Sequence, residues 1–142
     1  KTDARSQNGG TSLMAASSEG QTEIVRLLLN AGAEPNLTLT DGTTALIMAS
    51  LKGHAAVVDL LLTYGADSIL EKRADDGATA LLLACRHRHF EVAKALLDAE
   101  ADPKAASPDG ITPPGDCMYR LISRSGSSRC KKSNWATIRF AT

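Results

Sequence analysis

The chain has 142 residues, enough for one domain with a sizeable core, and its 16 basic and 16 acidic side chains cancel. It has only five aromatic residues (Tyr64, Phe90, Tyr119, Trp135, Phe140), and alanine and leucine dominate its apolar content. That composition favours closely packed helices, and no apolar run approaches the roughly 20 residues of a membrane helix. Three cysteines at unrelated spacings do not form a disulfide framework, so a reducing, intracellular and most simply cytoplasmic setting is expected, with the nucleus as the other compartment.

In chain order, Thr11 opens a first short helix that Gly20 ends, and Thr22–Asn30 forms a second with a broad apolar face. The same pattern restarts at Thr44. Thr11 to Thr44, Leu13 to Leu46, Gly20 to Gly53 and Gly32 to Gly65 are each 33 residues apart. A threonine at the helix start accepts from an orphan backbone N–H, and glycine at the end supplies the positive φ that terminates it. Leu46 and Ala49 are expected to face inward, as is the stripe Val57, Val58, Leu60, Leu61 and Leu62. A third copy starts at Thr79, 35 residues on, and the two extra residues fall most simply in the loop Ser68–Asp76, where insertion costs little. Asp41-Gly42, Asp76-Gly77 and Asp109-Gly110 mark turns between units. A fourth start at Asp109–Pro113 is stopped by Pro113-Pro114-Gly115. One helix pair cannot bury its own apolar face, whereas stacked pairs can.

Gly42-Thr43-Thr44-Ala45-Leu46, Gly53-His54 and the run Glu23–Asn36 resemble the ankyrin repeat, at that family's period of 33. The resemblance covers roughly residues 3–113. It implies an all-α ankyrin-repeat solenoid of three stacked helix–loop–helix repeats with hairpin-like connecting loops, plus an irregular C-terminal tail. The expected division is an ankyrin domain over 1–113, with repeats at about 7–39, 40–74 and 75–107, and a basic tail over 114–142. Asp3 stands 33 residues before Asn36, so Lys1–Ser6 reads as the trailing loop of an earlier repeat in a longer array. The family's Thr-Pro-Leu-His is altered: Ser12, Ala45 and Ala80 replace the proline, and Met14, Ile47 and Leu82 replace a histidine that in the family ties neighbouring loops together. In the third unit Arg88 and Glu100 replace the helix-ending glycines, so that unit is expected to be the least stable.

No phosphate-binding loop, Gly-x-Ser-x-Gly or His-Glu-x-x-His motif occurs. Cys85-x-His87-x-His89 has the composition of a metal or nucleophile site. On a helix, however, successive members lie about 200° apart and do not converge on one ion. Repeat alignment instead gives Cys85 the packed position of Ser17 and Ser50, and His89 the position of His54, a loop-capping position in ankyrin repeats. No cofactor or metal is expected. The Asn36-Leu37-Thr38 glycosylation pattern carries no weight without a secretory context.

The resemblance places partner contacts on the concave face. These are Asp41, Thr43, Asp76 and Ala78 at the loop tips, with Leu51, Lys52, Arg86 and His87 on the first helices, and Leu51 is expected to be an exposed apolar anchor. The expected function is protein–protein interaction without catalysis. The alternative is a scaffold or targeting segment of a larger enzyme, such as a kinase, ubiquitin ligase or methyltransferase. Residues 1–116 hold ten basic and all sixteen acidic residues, a balance of −6, and residues 117–142 carry +6. Six basic residues with Trp135 and Phe140, spread over that tail, are thin support for nucleic-acid binding. Another protein is therefore the expected partner, with neither membrane nor nucleic acid.

Overall fold

The structure, a computed structural model, describes residues 3–65, 77–99 and 101. The insertion loop Ser68–Asp76, Glu100, the restart at Asp109–Pro113 and the tail over 114–142 lie outside those residues.

Within them the chain forms six helices: α1 (Ser12–Glu19), α2 (Thr22–Asn30), α3 (Ala45–Lys52), α4 (Ala55–Thr63), α5 (Ala80–Arg86) and α6 (Phe90–Asp98). The three pairs are the three repeats. α1, α3 and α5 stack on one another as an inner layer, and α2, α4 and α6 stack behind them as an outer layer. No helix among the described residues is long and apolar enough to cross a membrane.

The inner helices share one local design. Thr11, Thr44 and Thr79 adopt extended backbone, and their hydroxyls accept from the backbone N–H of Met14, Ile47 and Leu82 at 3.3, 3.1 and 3.2 Å. All three threonines are buried, so the caps satisfy donors that water does not reach. Gly20 and Gly53 end α1 and α3 at φ 73° and 83°. At the third such position Arg88 is held at φ 62°. A β-carbon in this left-handed region costs about 1 kcal/mol.

The core runs continuously through the stack. Leu13, Leu46 and Leu81, all at 2% exposure or less, form its inner row, each contributing about 1.5–3 kcal/mol by burial. Leu46 and Ala49 face inward as expected, and Val57, Val58 and Leu61 are buried while Leu60 and Leu62 are only partly so. Met14, Ile47 and Leu82 are buried as well, so apolar packing fills the place of the family's histidine. Ser17, Ser50 and Cys85 form a row of small buried side chains, and the Ser17 and Ser50 hydroxyls have no hydrogen-bond partner.

Ser50→Ala removes a buried, unsatisfied hydroxyl with little change of volume, and should stabilise the chain by about 1 kcal/mol in urea unfolding. Destabilisation would mean that the hydroxyl is bonded in solution. Arg88→Gly, which releases the left-handed strain, should stabilise by a similar ~1 kcal/mol and raise Tm. An unchanged Tm would show that this turn relaxes without cost.

Candidate binding face

The hairpin between repeats one and two is built by its backbone. Leu39 N–H donates to the Thr43 carbonyl at 2.8 Å and Gly42 N–H to the Leu39 carbonyl at 3.0 Å, while Thr38 and Thr44 form an antiparallel bridge. The Asp41 carboxylate accepts from Thr43 N–H at 2.9 Å, and hydrogen bonds from the Thr43 backbone and then its side chain hold that carboxyl below the usual carboxylate range.

The same turn occurs 33 residues earlier. Ser6 N–H donates to the Gly10 carbonyl and Gly9 N–H to the Ser6 carbonyl, both at 2.9 Å, and the Asn8 side-chain oxygen accepts from Gly10 N–H at 3.3 Å. Asn8-Gly9 therefore plays the part of Asp41-Gly42. The Asn-Gly pair, an ordinary turn signal, identifies it. The two turns lie side by side: Thr40 N–H donates to the Asn8 carbonyl at 3.1 Å, and Arg5 reaches the Thr38 carbonyl at 2.5 Å. Main-chain and arginine contacts thus tie neighbouring loops where the family uses histidine.

An open groove of about 680 Å³ lies between the first turn and the inner helices, lined by Arg5, Asn8, Ser12, Ala15, Glu19 and Met48 among others. Further along the same layer, repeat alignment puts Ser18, Leu51 and Arg86 in one row and Glu19, Lys52 and His87 in the next. Asp41, Lys52, Arg86 and His87 are exposed and Thr43 is half-buried. No hydrogen bond or ion pair holds Lys52 or Arg86 among the described residues. Both also stand in the last turn of a helix, where positive charge complements the helix dipole.

Three expectations change. Leu51 is half-buried and packs against the core rather than standing free, because α3 lies between α1 and α5 and its flank is covered. Ala78 is buried at 3%, one residue before the buried Thr79 cap, so its side chain leaves the set of contact candidates. Asp76 lies outside the described residues.

The two histidines of the Gly-His positions do not cap their own helices. His54 and His89 are the N-cap residues of α4 and α6 but make no side-chain cap bond there. Each reaches back one repeat: His54 Nε2–H donates to the Ser18 carbonyl at 3.0 Å and His89 Nε2–H to the Leu51 carbonyl at 3.1 Å. Their rings sit directly on Gly20 and Gly53, where a β-carbon would stand 2.6 Å from the ring Nδ1. The His87 ring stacks beside that of His89 at 6.1 Å between centroids, while Cys85 is buried. Among the described residues no three His, Cys, Asp or Glu side chains converge as metal ligands.

Stacked helix pairs joined by turns that pack side by side, with an exposed inner face, define a repeat solenoid. A family model for ankyrin repeats matches residues 13–107 in three copies. The chain is also 37% identical over 109 residues to the Caenorhabditis elegans "Ankyrin repeat and KH domain-containing protein mask-1", a match that covers 77% of this chain and 4% of that protein. The chain belongs to the ankyrin repeat family.

Gly53→Ala should destabilise by clearly more than the ~1 kcal/mol of a left-handed alanine, because the His89 ring has to move. In a double-mutant cycle with His89→Ala the excess should vanish. An additive cycle would show that ring and glycine do not share the seat.

Proposed function

We propose that this chain is a protein-binding module whose partner lies across the loop turns and the C-terminal ends of the inner helices, with no catalytic step within the ankyrin stack. The observation that carries this reading is the open groove at the turns, continued by exposed side chains that the stack does not use: Asp41, Lys52, Arg86 and His87. Ankyrin repeats are general protein-interaction modules, and fold alone gives no more than that. Asp41 and Glu19 favour basic groups on the partner near the first turns, and Lys52 with Arg86 favours acidic ones further along. Thr43 and the outer edge of Leu51 add contact surface. Asp76, at the next turn in sequence, extends the acidic side. An intracellular, cytoplasmic setting goes with this reading and rests on the unpaired cysteine count.

A second reading keeps the same face but makes the stack the recruiting segment of a larger protein, an enzyme among the alternatives. It is favoured by the match to a relative of which the chain spans only 4%. Both readings place partner capture on the same residues.

Charge reversal at two exposed sites, Lys52→Glu with Arg86→Glu, tests the face without entering the core. Partner capture by the double variant should fall at least tenfold in pull-down or calorimetry, with the helical circular dichroism unchanged. Retained capture by a fully folded variant would move the interface elsewhere.

A further inference from the structure

The outer helix α2 differs from its two counterparts in what covers it. Repeat register aligns Ile24 with Val57 and Val92, and Leu28 with Leu61 and Leu96. Val57, Val92, Leu61 and Leu96 are exposed by 1% or less, because α4 packs on α2 and α6 packs on α4. Ile24 is 48% exposed, Leu27 beside it is 64% exposed, and Leu28 is only half-buried. Scattered apolar residues on a surface are ordinary, but Ile24 and Leu28 hold the register positions that the other two repeats bury completely.

A second observation fixes what kind of group fits there. The turn Ser6–Gly10 repeats the hydrogen bonds of the turn that leads into α3, so the chain enters α1 as it enters α3. The Asp3 carboxylate accepts from Glu34 N–H at 3.0 Å, just beyond the end of α2. Chain arriving at Asp3 therefore comes from beside α2, which is where α2 itself stands relative to α4. Gln21 holds the place of His54 and His89, and its amide N–H is able to donate to the same carbonyl of a neighbouring repeat.

We propose that Ile24, Leu27 and Leu28 form a stacking face for the outer helix of a further ankyrin-type repeat. The occupant is a short amphipathic helix that buries Ile24 and Leu28 as α2 buries Val57 and Leu61. This surface is separate from the proposed partner face and does not depend on it.

The test duplicates residues 3–35 between Thr2 and Asp3 of the full chain, which keeps the 33-residue period and places a copy of α2 before the original. Amide exchange across the original α2 should slow at least tenfold and Tm should rise. Ile24→Glu with Leu27→Glu in the original α2 should cancel both gains, while the same pair in the unduplicated chain leaves Tm unchanged. If that variant does not fold, Ile24→Thr should still cut the gain in exchange protection. A helical insert that leaves α2 exchange unchanged, or protection that survives the glutamates, would overturn the proposal. So would a dimer of the unduplicated chain in sedimentation equilibrium that the glutamates abolish, because the face would then belong to a second copy.

Discussion

The stack depends on one contact made twice: an imidazole seated on a glycine of the preceding repeat and bonded to that repeat's carbonyl. Glycine is required there for two unrelated reasons. Its left-handed φ turns the chain out of the inner helix, and its missing β-carbon leaves room for the ring. The bond joins residues 36 and 38 positions apart, so it sets the register between repeats directly. With register fixed, Leu13, Leu46 and Leu81 follow one another through the core, and the threonine caps line up beneath the turns. A packed interior tolerates little slippage, so one misplaced repeat would strand buried apolar surface along the whole row.

Much of this was legible in the sequence because the fold is periodic. A single 33-residue spacing, read from threonine, leucine and glycine, carried the six helices and their caps. Its limit was the difference between copies. Leu51 looked exposed because it aligns with Ser18 and Arg86, but exposure depends on what the flanking helices cover, and α3 is flanked on both sides. Ala78 looked like a loop tip because it aligns with Thr43, yet it is buried beside its cap. Asn8 went unread because the Asp-Gly signal drew attention to Asp41, although asparagine accepts the same bond. The histidines were placed correctly along the chain, but their reach into the previous repeat is a long-range fact that no local pattern contains.

Comparing the three copies separates structure from recognition. Positions that agree chemically, Thr11/Thr44/Thr79 and Leu13/Leu46/Leu81, are buried and hold the stack. Positions that diverge, Ser18/Leu51/Arg86 and Glu19/Lys52/His87, line the inner face. Charge varies there at small cost to stability, since solvated charges on a helix end contribute only tenths of a kcal/mol. Leu51 is the member that serves both roles, with one flank on the core and its carbonyl holding His89.

The two ends of the described stack are not equivalent. At one end, α2 shows apolar side chains in register positions that the other outer helices bury, and the turn before α1 is already paired with its neighbour. At the other, Arg88 carries a β-carbon at the position where Gly20 and Gly53 seat a histidine. An arginine cannot offer that seat without moving, so the lock that joins repeats one to two and two to three has no equivalent receptor on repeat three. In a nearest-neighbour solenoid, stability is the sum of unit and interface contributions, and a missing lock weakens the unit that lacks it. The polarity of the stack thus comes from single residues at equivalent positions, Ile24 and Arg88, and not from any change in the helices that carry them.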